Sequence, residues 1–222
     1  MSQSNTGPTG PVEFHQLFAV SVLETRLADA KNLNAQLLQV ITAQKNQSAG
    51  MQRSNINGWH STTDMLRWGG EAAKSLAIAM LQTVGAYTRD VGMRDGQARF
   101  EMAMDMWANV SPRGAANQFH AHAGALWSGV YYVDDGGDST ASLVLLDPNF
   151  PTNRMYAPDL QATGPSGESY PSQREFSPEP GKLIIFPSWL THGVKPHQGA
   201  RERVSIAMNV MALPLKPTNG PR

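Results

Sequence analysis

A chain of 222 residues with 18 basic residues, 18 acidic residues and no cysteine excludes disulfides, thiolate catalysis and cysteine-held zinc or iron-sulfur sites. Any transition-metal site must therefore use histidine and carboxylate. The zero net charge, with no Lys/Arg block, argues against nucleic acid or an anionic membrane as a partner, and no stretch reaches the roughly twenty apolar residues of a membrane span.

The length suits one substantial core, and the expectation is a cytoplasmic protein with one domain over residues 12–215 that leaves a homodimer open. Residues 1–11 are rich in Ser, Asn, Gly and Pro without an apolar run and read as a disordered tail. Phe14 to Val22 has strand composition. Lys31 to Lys45 carries Leu33, Leu37, Leu38, Val40 and Ile41 at helical spacing. The polar stretch from Asn46 to Ser61 reads as a loop. Ser61 to Asp64 then offers a capping-box-like start, and Leu76, Met80, Val84 and Thr88 mark one face of a helix over about 71–90. Gly69 and Gly70 should break its front.

From Gln97 to Val110 the period changes to two, with Phe100, Met102, Met104 and Met106 on one face. This methionine stripe reads as core packing rather than a copper site. Further strands are predicted at His120 to Val133, Ser142 to Leu146, Lys182 to Phe186 and Arg203 to Leu213. Residues 148–180, with many Pro, Gly, Ser and Asn, form a long loop between them, a length typical of a substrate cover or a disordered excursion.

The chemistry concentrates in His120-Ala121-His122, in His192 and in Arg203. In an extended strand residues two apart share a face, so His120 and His122 can close on one metal ion, with His192 brought in by the fold. Three ligands on one face of iron(II) leave the other face open for an organic cosubstrate and dioxygen. A cosubstrate such as 2-oxoglutarate needs a cation for its distal carboxylate, for which Arg offers a planar, permanently charged fork. Arg203 begins the last alternating strand, on the same face as Ser205, Ala207 and Asn209. Arg201 competes with it but precedes the strand.

These motifs, with Ser54-Asn-Ile-Asn-Gly-Trp59-His60-Ser61, Ser128-Gly-Val-Tyr-Tyr132, Leu145 to Pro148, Pro180 to His192 and Arg203 to Val210, resemble those of the 2-oxoglutarate and iron(II)-dependent oxygenases. The resemblance runs from about Phe14 to Leu213. It implies a mainly β chain with N-terminal helices, a double-stranded β-helix or jelly roll of cupin-like form. It also implies His120, His122 and His192 as iron ligands, Arg203 holding the C5 carboxylate of 2-oxoglutarate, and Tyr132 placing its hydroxyl on the cosubstrate. The implied activity is a dioxygenase, most simply a hydroxylase, acting on a small molecule or a protein side chain. Relatives usually carry a carboxylate where this chain has His122, and three neutral ligands leave the full divalent charge on the metal. The alternative from the residues alone is a cupin-like three-histidine metalloprotein that works without 2-oxoglutarate.

Weaker candidates complete the reading. His197 reads as a surface turn residue, and Asp134, Asp135 and Asp138 as acids of a solvated turn. Trp127 and Trp189 read as packing. Asn117 is a candidate partner for a ligating imidazole, while the sequence assigns Trp59 and His60 no chemical role.

Overall fold

A computed structural model of the chain describes residues 13, 18–93, 96–149, 160, 163–169 and 171–215. The expected tail at 1–11 lies outside them. Strand β1 (Leu23–Arg26) leads into helix α1 (Ala30–Gln47). Two-residue strands β2 (Asn55–Ile56) and β3 (Trp59–His60) precede helices α2 (Met65–Trp68) and α3 (Gly70–Ala86). The break foreseen at the glycine pair is the boundary between α2 and α3, where Gly70 takes a φ of +64° that L side chains rarely adopt.

Among the described residues only strands follow: β4 (Phe100–Ser111), β5 (Ala116–His120), β6 (Trp127–Asp134), β7 (Leu143–Leu146), β8 (Gln173–Phe176), β9 (Lys182–Pro187), β10 (His192–Val194) and β11 (Arg203–Pro214). They form two antiparallel sheets, a major one in the order β1-β9-β6-β11-β4-β3 and a minor one in the order β2-β5-β10-β7-β8. The helices cover the outer face of the major sheet. Leu37 and Ile41 of α1 and Leu76, Met80 and Val84 of α3 pack on Tyr131, Val133, Ile206 and Met208. Gly129 of β6 makes close docking possible, since a Cβ there would come within 2.9 Å of the Met80 sulfur. Between the sheets lies a second cluster of Tyr132, Leu143, Leu145, Ile184, Phe186 and Leu190. This is the expected jelly-roll architecture.

Several expectations shift. The first described strand starts at Leu23, and residues 18–22 are not strand. The predicted strand from His120 to Val133 is two strands in different sheets, separated by the turn at residues 121–126. One local signal marks that turn, Gly124 at a φ of +86°, but the alanines around it are neutral and the aromatic, β-branched run that follows has strand composition, so the two strands read as one. The 148–180 stretch contains β8, which pairs with β7 at the edge of the minor sheet, and a bridge between Thr163 and Ser169. Residues 150–159, 161, 162 and 170 of the expected cover lie outside the described residues. Of the methionine stripe, Met106 is fully buried, but Phe100 and Met102 are exposed because β4 extends past the helices at that end. Among the described residues no helix is long and apolar enough to cross a membrane.

Candidate metal centre

Antiparallel pairing of β5 and β10 sets His120 directly opposite His192, so residues seventy-two positions apart meet at the mouth between the sheets. His122 lies two residues beyond the end of β5, its backbone N–H donating to the Ser188 carbonyl at 2.9 Å. The three imidazole centroids stand 4.4, 4.9 and 5.1 Å apart. One nitrogen of each lies within 4.8 Å of the others, and among the described residues no carboxylate joins them.

The tautomers follow from the carbonyls beside them. His120 Nδ1 lies 2.7 Å from the Gln118 carbonyl and His192 Nδ1 lies 2.9 Å from the Leu190 carbonyl. A carbonyl only accepts, so both Nδ1 atoms carry the proton and both Nε2 lone pairs are left for a metal. Burial pulls His192 down to about 3 and His122 down to about 4, each further lowered by neighbouring imidazoles. These two rings are neutral bases at pH 7, the form a divalent cation requires.

A cavity of about 380 Å³ opens from the triad. Its floor comes from alternate residues of β4 and β11, Asp105, Trp107 and Asn109 beside Asn209, Ala207 and Ser205. Ser128 joins them, donating to Asn209 Oδ1 at 2.8 Å. Sequence reading did not foresee the roles of Ser54, His60, Asp105, Trp107 and Asn109 here, although the motif from Ser54 to Ser61 was the available signal for two of them. Ser54 Oγ lies 3.4 Å from His120 Nε2 and receives Asn117 Nδ2 at 3.4 Å, so Asn117 reaches the histidine only through Ser54. His60 is buried, its ring nitrogen held to the Ser61 carbonyl and its basicity lowered by burial.

Further along the same faces, Arg203 is 1% exposed, the largest fully buried side chain among the described residues. Nη1 donates to the Ala141 carbonyl at 3.0 Å and Nη2 to Ser111 Oγ at 3.1 Å, while Nε has no partner. The Tyr132 hydroxyl, within the field of that guanidinium, is also buried without a partner. Two orphaned donors at one dry end of the fold fit an absent anion. Arg201 is exposed and paired with Asp134 and Asp135, which removes it from the competition.

His197 corrects the sequence reading. It is fully buried, with Nε2 2.7 Å from the Arg201 carbonyl and Nδ1 3.5 Å from Asp138. Asp138 is likewise buried, accepting from Gln198 N and from Thr140 N and Oγ1. Both fasten the turn after β6 to the approach to β11, a tertiary contact that local composition does not carry. Trp127 packs in the core and donates to Thr88 at 2.9 Å, while Trp189 is exposed, and neither lines the cavity.

The two facing antiparallel sheets, with three histidines at their mouth, define a double-stranded β-helix. Solved structures share that fold at low identity. A prolyl hydroxylase from Trichoplax adhaerens, in complex with a hypoxia inducible factor peptide fragment, superposes with a TM-score of 0.60 at 14% identity, covering 86% of this chain and 83% of that one. A Pseudomonas putida prolyl-4-hydroxylase gives 0.57 at 16%, covering 86% and 92%. HygX from Streptomyces hygroscopicus, with nickel and 2-oxoglutarate bound, gives 0.54 at 9%, covering 86% and 83%. No curated protein matches the chain. Residues 105–209, from β4 through most of β11, match the family model described as "Putative 2OG-Fe(II) oxygenase". That segment, just under half of the chain, is similar to the 2OG-Fe(II) oxygenases.

Proposed function

We propose that His120, His122 and His192 hold the iron, that Arg203 and Tyr132 bind the distal carboxylate of 2-oxoglutarate, and that the enzyme hydroxylates a C–H bond of a small molecule or protein side chain. The observation that carries this reading is the pair of buried, unpartnered donors, Arg203 Nε and Tyr132 Oη, on the sheet that floors the triad's cavity. Iron(II) held by these histidines, with 2-oxoglutarate and dioxygen as co-reactants, would supply the oxidation: dioxygen is the oxidant, one of its atoms going into succinate as 2-oxoglutarate loses carbon dioxide and the other into the C–H bond. The chain's residues do the rest. The carbonyls of Gln118 and Leu190 fix two imidazoles with Nε2 inward, and Ser111 and the Ala141 carbonyl hold the guanidinium plane so that its remaining N–H groups face the anion. Phe186 and Leu143 keep the wall between these ends apolar, which strengthens the charge contacts inside.

Anaerobic addition of iron(II) and 2-oxoglutarate to the full chain tests the reading. A visible charge-transfer band is expected, absent in His192→Ala and weakened in Arg203→Ala. Metal binding that is indifferent both to 2-oxoglutarate and to Arg203 would overturn it.

A further inference from the structure

His122 differs from the other two histidines in how it is held. His120 and His192 are each oriented by a carbonyl that accepts from Nδ1, whereas the His122 imidazole has no hydrogen bond among the described residues and stands outside any strand. A ligand ring that nothing orients loses rotamer freedom on binding metal, and partners that fix such rings typically matter by ten- to a hundredfold in metal affinity.

Beside His122 is Trp107, 7% exposed on the inner face of β4, with its ring centroid 5.7 Å from the imidazole and a tilt of 56°. On the indole lies His60, 5.5 Å away and within 15° of parallel. His60 pairs with Asn109 across β3 and β4, so Trp107, two residues along, is its diagonal neighbour on the same face. The segment that carries His60 is tightly fastened. Ser61 N donates to the Ala108 carbonyl and Ala108 N to Ser61 Oγ, both at 2.9 Å. The Trp59 indole donates to the Ser48 carbonyl at 2.9 Å. Met51 N reaches the His60 carbonyl at 2.7 Å, an approach Gly50 allows because a Cβ there would lie 2.7 Å from the same oxygen.

We propose that the stacked pair of His60 and Trp107 positions His122 toward the metal, replacing with a ring contact the hydrogen bond that orients the other two histidines. The Gly-Trp-His-Ser part of the N-terminal motif thereby acquires a role: it delivers a rigid aromatic plane against the back of Trp107. These are positioning residues, acting through His122, and the proposal rests on the reading of the three histidines as metal ligands.

Calorimetric titration of the metal-free full chain with cobalt(II) tests it, with the melting temperature of each metal-free variant as the check on folding. Trp107→Leu, which removes the ring but keeps apolar volume, is expected to weaken cobalt(II) binding about tenfold and to change the cobalt d–d spectrum, while Trp107→Phe stays near wild type. His60→Leu should cost about threefold, the size of one aromatic pair, and His60→Phe should restore it. In a His122→Ala background neither Leu variant should weaken binding further, since coupled residues are not additive. Should Trp107→Leu not fold, the His60 pair decides. Unchanged affinity in the Leu variants, or equal losses with and without His122, would overturn the positioning role. His120→Ala and His192→Ala separate the two levels: if these keep cobalt, the metal-centre reading fails, and if they lose it while Trp107→Leu does not, only the positioning role fails.

Discussion

Replacing Tyr132 by phenylalanine should move two measurements in opposite directions. The side chain is 1% exposed and its hydroxyl has no hydrogen-bond partner, the Leu143 backbone lying nearby without bonding geometry. Burial pushes the phenol up to about 12, with the Arg203 charge acting the other way, so it is a neutral O–H donor at neutral pH. An unsatisfied buried hydroxyl costs about 1–3 kcal/mol. Its removal should therefore stabilise the metal-free protein by about 1 kcal/mol, raising the melting temperature about 2–4 °C for a chain of this size. On the proposed reading the same hydroxyl would donate to the 2-oxoglutarate carboxylate, a charged hydrogen bond contributing about 1.5–3 kcal/mol. Its loss should weaken the cosubstrate about 10- to 150-fold. Thermal melting of the metal-free protein and 2-oxoglutarate titration of the manganese-loaded protein read the two effects. A lower melting temperature, or an affinity within twofold of wild type, would refute the reasoning, because either would mean that the hydroxyl is satisfied without the cosubstrate.

Three further outcomes follow from the same geometry. His192→Ala should abolish stoichiometric metal binding by elemental analysis, since it removes the ligand facing His120. Arg203→Lys keeps the charge but loses the fork that also holds Ser111 and Ala141, so the 2-oxoglutarate KM in succinate-formation assays should rise about tenfold or more. Acid should destabilise the fold in two windows. His122 and His192 sit below the ordinary histidine value, so the unfolded chain binds more protons and stability falls as pH drops below about 6.5. Asp138 is held down to about 2, first by the Thr140 hydroxyl and then by the Gln198 and Thr140 backbone. Its contribution, up to about 2 kcal/mol, is present above pH 4 and lost as pH falls through about 2. Urea titrations should show that Asp138→Asn removes the lower window and costs stability at pH 7, and an unchanged acid limb would count against that assignment.

The parts of the molecule readable from sequence are those that local pattern decides. Leu33, Leu37 and Ile41, and then Leu76, Met80 and Val84, trace the buried faces of α1 and α3 because one stripe of each packs on the sheet. The alternation of β11 places Arg203 with Ser205, Ala207 and Asn209 because a strand turns every second residue to one side. What stayed hidden depends on contacts distant in sequence. His197 looks like a turn residue until Asp138, some sixty residues earlier, is seen to meet it. The break after His120 carries one local signal, Gly124 at positive φ, and is otherwise hidden because the chain changes sheets there and both halves have strand composition. His120 and His122 therefore converge for a reason other than the one their spacing suggested. They do not share a strand face; the second ring is brought back by the anchor to Ser188 and the indole of Trp107.

The pairing of β4 with β11 also orders the cavity along one axis. Three successive inward rungs line it, Asn109 with Ser205, Trp107 with Ala207 and Asp105 with Asn209, and the rung before them, Ser111 with Arg203, lies beyond its lining, each rung roughly 7 Å from the last. On the proposed reading Arg203 would take the anionic end of the cosubstrate, and Trp107 stands beside His122 of the triad, which would put the last rung on the far side of the metal, on the side proposed for substrate entry. Asp105 is the only carboxylate among the described lining residues and makes no ion pair there. It is exposed, which limits its pull on a cation to about 1 kcal/mol and makes that pull sensitive to salt. n-Butylamine should accordingly bind the protein loaded with manganese and 2-oxoglutarate about fivefold more tightly than n-butanol. Asp105→Asn should erase the difference while leaving 2-oxoglutarate affinity unchanged, because the two ends are separated by the two rungs between them. A preference that survives in the variant would place the substrate elsewhere, and a variant that loses 2-oxoglutarate instead would show that the axis runs the other way.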